Sequence, residues 1–152
     1  MDFSQITDDL LVGTTPAVSD YDLLRSLGVG LVINMRIEKR PTPDIHQPPL
    51  RFLWLPTIDW PLFPIPLNML KRGAQLALET IRSGKRVFTH CAGGRHRGVA
   101  MGAAILIAGG MDPEAAMHLI TSRRRVADPQ VFYIRNRILR FAQLWNVLSS
   151  SS

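Results

Sequence analysis

What most limits how this chain can fold is the run around its one cysteine, Val87-Phe88-Thr89-His90-Cys91-Ala92-Gly93-Gly94-Arg95-His96-Arg97-Gly98. An apolar strand runs into Cys91, a glycine-rich turn follows, and an apolar helix begins at Gly98. Such a strand–loop–helix unit aims backbone N–H groups and a helix N-terminus at one point, which makes an anion site. Gly93 and Gly94 suit a loop that must curl with its amides inward, because glycine reaches the required backbone angles at little cost. A thiol at that point is stabilised as the thiolate and becomes a nucleophile. Arg97, six residues after the sulfur, can grip a tetrahedral oxyanion through two N–H groups at once. A cation at a helix start is unfavourable without a compensating anion, which argues against Arg97 as a solvated bystander. A lone cysteine is commonly a buried apolar residue. The basic neighbours His90, Arg95, His96 and Arg97 argue against an apolar setting here.

The rest of the chain alternates strands with helices. Ile6–Val12 reads as a short strand, and Ser19-x-x-Asp22 as the start of a helix that ends near Gly28. Val29–Asn34 is a continuous apolar run of the buried-strand kind. A proline-rich loop, Lys39–Pro49, leads to a strand at Arg51–Leu55 and an irregular loop at Pro56–Pro66. Helices are expected at Leu67–Arg82, Arg97–Ala108, from Pro113 to about Arg123, and from about Gln130 to Val147, with Asp112 as an N-cap before Pro113. On the last helix Phe132, Ile134, Ile138, Phe141, Leu144 and Trp145 are available for the core. Alternation of this kind predicts one α/β domain over residues 1–148, with a mostly parallel twisted sheet and helices on both faces. Residues 149–152 are expected to be a frayed tail. Ligands of such sheets bind at the carboxyl ends of strands, where the Cys91 loop lies.

The string His90-Cys91-x-x-Gly94-x-x-Arg97 resembles the signature of the cysteine-based protein tyrosine and dual-specificity phosphatases. The resemblance extends from about Ile6 to Trp145 and is nearest to the small atypical dual-specificity members. It implies Cys91 as nucleophile, Arg97 as phosphate clamp, and substrate contacts from Ala92, Gly93, Gly94, Arg95 and His96. A leaving alkoxide or phenolate needs a proton from a separate loop. Asp59, in Leu55-Pro56-Thr57-Ile58-Asp59-Trp60-Pro61 and 32 residues before Cys91, resembles the general acid of that family. Asp44 and Glu38 are its rivals, Glu38 reading more as half of a structural pair with Arg36. His90, Gly98 and Gln130 are supporting positions: His90 orienting the loop or serving equally as a buried, hydrogen-bonded structural residue, Gln130 positioning water or loop groups or equally capping a helix. Gly98 stands where most members carry Ser or Thr, which puts the breakdown of a phosphocysteine in question. Arg123-Arg124-Arg125 suits a helix C-terminus first and an anion-binding rim second.

The net charge of +6, with 15 Arg against 3 Lys, suits anionic partners. No basic stripe interleaved with aromatics argues for nucleic acid. The longest apolar run, Val99–Met111, is 13 residues with three glycines, too short to span a bilayer. A single cysteine forms no internal disulfide, and thiolate chemistry needs a reducing compartment, so a cytoplasmic setting is expected. The expected protein is a monomer without metal or cofactor that hydrolyses phosphotyrosine, with phosphoserine and phosphothreonine in range. Arg95-His96-Arg97 is more basic than in many protein phosphatases, so inositol phosphates or phosphoinositides are the alternative substrates. Phosphate binding with little turnover is a further one.

Overall fold

In the computed structural model, which describes residues 1–150, five strands form one sheet. They are β1 (Phe3–Gln5), β2 (Leu10–Thr14), β3 (Val29–Arg36), β4 (Arg51–Thr57) and β5 (Arg86–Cys91), in the spatial order β1-β2-β5-β3-β4. The pairs β2–β5, β5–β3 and β3–β4 are parallel, and β1 is antiparallel at the edge. The expected single strand Ile6–Val12 is instead a hairpin. Ile6 to Asp9 turn the chain, with the Thr7 hydroxyl accepting from the Asp9 and Leu10 amides at 3.1 Å.

Helices α2 (Leu67–Arg82), α3 (Arg97–Ala108), α4 (Pro113–Arg123) and α5 (Phe132–Ser150) bring their apolar faces to one core, while α1 (Tyr21–Ser26) packs with a smaller one. Strand alternation divides the side chains between the two. Leu10, Val12, Leu31, Ile33, Met35 and Val87 belong to the larger core, and Leu11, Val32 and Phe88 to the smaller. Central strands buried on both faces must be apolar throughout, which is why Val29–Asn34 shows no alternation. The helix α1 is shorter than its cap signal suggested. A 3₁₀ turn at Val18–Asp20 precedes it, and Asp20 rather than Asp22 accepts the Ala17 amide, at 2.8 Å.

On α5, Ile134, Ile138 and Phe141 are buried as expected, but Phe132 is 70% exposed. The helix also continues through Ser149 and Ser150, where a frayed tail was expected, and Ser151 and Ser152 lie outside the described residues. No helix among the described residues is long and apolar enough to cross a membrane.

Phe141 is fully buried and stacks against Trp145 with ring centroids 5.6 Å apart, so it carries much of the attachment of α5. Phe141→Ala is expected to cost about 3–5 kcal/mol, read from the midpoint of urea unfolding.

Candidate active site

β5 ends at Cys91 and α3 begins at Arg97, so residues 92–96 turn over the carboxyl end of the central strand. Cys91 is only 3% exposed and joins the larger core, contrary to the expectation from its basic neighbours. The reason is register: Val87 and Cys91 share the helix-facing side of β5, so the thiol sits at the floor of the loop. His90 falls on the other side and stacks near Phe88 at 5.7 Å. Burial pushes its imidazole down to about 3, with Arg36 adding to the shift, so His90 is neutral at pH 7.

Two glycines have steric duties. Gly94 has φ +61°, and a Cβ there would lie 2.4 Å from Arg124 Nη2 and 2.8 Å from the Gly13 carbonyl oxygen. Gly98 lets α3 approach β5, since its Cβ would stand 3.1 Å from two His90 backbone atoms and 3.2 Å from the Cys91 nitrogen. Gly93 carries neither constraint: a Cβ would meet nothing closer than the Arg95 side chain at 3.6 Å.

Arg124 is structural, the first of the two readings its place at a helix end allowed, and it is 3% exposed. Its Nε donates to the Gly94 carbonyl at 2.7 Å and its Nη2 to that of Gly93 at 3.4 Å. Both Nη groups also hold the Asp2 carboxylate at 3.0 Å.

Arg97 is buried with its guanidinium fully oriented. Its Nη1 and Nη2 donate to the two Glu38 oxygens at 2.9 and 3.0 Å, and Nη1 also donates to the Thr57 carbonyl at 2.8 Å. Its Nε is buried without a protein partner among the described residues. Glu38 was expected to pair with Arg36. It does approach Arg36 Nε at 3.3 Å, but its main partner is Arg97. Hydrogen bonding to Arg97 carries the Glu38 carboxyl down to about 2 against partial burial, and the Arg97 charge and Arg36 add to the shift.

Asp59 reaches the Cys91 loop. Its Oδ2 meets His96 Nδ1 at 2.9 Å, and its Oδ1 accepts from the Tyr133 hydroxyl at 2.6 Å. Burial opposes ionisation of Asp59, but Tyr133, His96 and the Arg97 charge outweigh it and hold the carboxyl below its ordinary range. Burial and the same carboxylate push the Tyr133 phenol up to about 12. Tyr133 was not foreseen: α5 starts with Phe132 turned to solvent and Tyr133 turned to the site.

The rivals of Asp59 lie elsewhere or are committed. Asp44 is 1% exposed and bound to Arg25. Burial opposes its ionisation, but the Leu50 and His46 amides, the His46 ring and Arg25 carry it down to about 2. Gln130 accepts from Arg135 at 2.7 Å and its Nε2 lies 4.0 Å from the Met117 sulfur. Arg95 is exposed over the loop.

The folded Glu38 carboxyl ionises at lower pH than a free one. Its share of stability is therefore present above pH 4.5 and lost as pH falls through about 2. In Glu38→Gln the loss of melting temperature on acidification through that window should be shallower than in wild type, and at pH 7 the variant should melt lower. Thermal melts across pH read both.

The chain is 27% identical over 143 residues to Dual specificity protein phosphatase 14 of Mus musculus, a match covering 93% of this chain and 70% of that protein. Its fold superposes on crystal structures of human DUSP28 (TM-score 0.84, 22% identity, 96% of each chain covered) and of PTPMT1 in complex with PI(5)P. The latter gives a TM-score of 0.84 at 24% identity, covering 97% of this chain and 98% of that one. No family model matches the chain. The resemblance read from the Cys91 loop therefore holds along the whole domain.

Proposed function

We propose that this chain, whose fold is that of the dual-specificity phosphatases, is a cysteine-dependent phosphatase that hydrolyses phosphate monoesters through a phosphocysteine intermediate. The observation that carries the reading is the contact of Asp59 with His96. It sets a carboxyl group beside the loop that holds a thiol and an arginine, from a strand end 32 residues earlier.

In this reading Cys91 Sγ attacks phosphorus and the bond to the ester oxygen breaks. The loop amides of residues 92–97 and Arg97 Nε hold the equatorial oxygens, whose charge rises in the transition state. Arg97 can serve because Glu38 and Thr57 occupy its outer nitrogens and leave Nε without a protein partner. Asp59 gives its proton to the leaving oxygen, then takes one from the water that displaces Cys91. The resting arrangement favours ionised Asp59, and an arriving phosphate dianion raises its affinity for a proton. His90 and Gly98 act through the loop, His90 as a neutral ring beneath it and Gly98 through the close approach of α3.

Phosphotyrosine in proteins is the leading substrate class, with phosphoserine and phosphothreonine in range. A second reading, phosphate on an inositol ring or lipid headgroup, is favoured by Arg95, an extra exposed cation on the loop.

The test is rapid acid quench and steady-state hydrolysis of aryl and alkyl phosphates, phosphotyrosine peptide and phosphoinositides. Wild type should yield a trapped phosphoenzyme. Cys91→Ser should yield none and still bind vanadate. Asp59→Asn should slow alkyl phosphates by about 10²-fold or more while sparing activated aryl phosphates. Turnover by Cys91→Ser, or an equal loss for both leaving groups, would remove the assignments.

A further inference from the structure

We propose that the rim of the site docks on an anionic lipid bilayer, with the loop 58–66 seated among the headgroups. Four parallel strands end at one edge of the sheet, so the loops that follow them form one rim. Of thirteen large apolar residues exposed among the described residues, eight lie on that rim, more than scattered surface residues would gather there.

The loop after β4 contributes Ile58, Trp60, Leu62 and Phe63, with Leu62 78% exposed. The segment after β3 contributes Ile37, and the turn after β2 contributes Val18. Val126 and Phe132 come from the α4–α5 connection and the start of α5. That connection is tied to the Cys91 loop where the Asp128 amide donates to the Arg95 carbonyl at 2.9 Å. Between the first two loops runs a groove of about 280 Å³ walled by Ile37, Ile58, Leu62, Phe63 and three prolines.

The charge on the rim selects the occupant. Lys39, Arg95 and Arg125 are exposed and form no ion pair among the described residues, and exposed Arg40 lies over the Trp54 ring at 5.1 Å. The rim carboxylates are each engaged within the chain. Asp20 holds the Ala17 amide and Glu38 holds Arg97, while Asp59 and Asp128 flank His96 at 2.9 and 3.9 Å. The face turned outward is therefore apolar and cationic. An exposed tryptophan and aliphatic side chains beside uncompensated cations suit the boundary between acyl chains and anionic headgroups. A flat protein surface would need the rim's cations matched one by one, whereas a lipid leaflet supplies mobile anions everywhere. The docking geometry stands by itself. That the site would then meet a phosphate carried at the membrane rests on the phosphatase reading.

The experiment is sedimentation with vesicles of phosphatidylcholine alone and of phosphatidylcholine containing phosphatidylserine, run beside hydrolysis of a soluble aryl phosphate. Wild type and Cys91→Ser should both bind the anionic vesicles, more weakly at high salt, and neither should bind the neutral ones. The double variant Leu62→Ser, Phe63→Ser should bind at least about tenfold more weakly and keep wild-type aryl phosphatase activity, which also verifies its fold. Failure of wild type to bind anionic vesicles, or undiminished binding by the double variant, overturns the proposal. So does a double variant whose only defect is a raised KM for a phosphotyrosine peptide, which would assign the rim to a protein. Vesicle binding by a wild type that hydrolyses nothing would instead refute the phosphatase reading and leave the docking surface in place.

Discussion

The Arg124 guanidinium holds the shape of the loop. A loop can point its amides inward only if its carbonyls point outward, and outward carbonyls need donors. Arg124 supplies them to Gly93 and Gly94 from the end of α4, and its own charge is balanced by Asp2 before the first strand. The loop is therefore tied to two elements that are distant in sequence. Gly94 is glycine for the same reason: a side chain there would occupy the place of the guanidinium.

A second layer of support fixes the charged groups inside the loop. Glu38 and the Thr57 carbonyl take the outer nitrogens of Arg97, so its rotamer is set before any anion arrives. Tyr133 and His96 together use both oxygens of Asp59, which hold it in one orientation. Prearranged donors and acceptors lose little freedom during reaction, which is where such sites gain most of their rate.

Much of this was legible in the chain. The unbroken apolar run at Val29–Asn34 could only be a strand covered on both faces, and Asp112-Pro113 marked its helix start, with Asp112 accepting the Ala115 amide at 3.1 Å. The turn of the Cys91 loop between a strand and a helix was legible from local sequence alone. The supports were not legible, because Arg124, Glu38 and Tyr133 act across gaps of 30, 59 and 74 residues, where periodicity and spacing carry no signal. The same limit set Phe132 in the core when its neighbour Tyr133 faces inward. Cys91 was misjudged by composition: its basic neighbours alternate away from it along the strand and around the turn. The early hairpin was hidden because β1 is a three-residue edge strand, too short to show a period.

The strand order has one more consequence. β5 lies between β2 and β3, so the cysteine-bearing strand is braced on both sides, while the surrounding loops each leave and re-enter the sheet at their own place. An insertion that spares Glu38, Asp59 and Asp128, which tie their loops to the Cys91 loop, leaves the strand footings of the others intact. Divergence on such a scaffold should therefore gather in the stretches of loop between the anchors at Glu38, Asp59 and Asp128 and leave the strands behind.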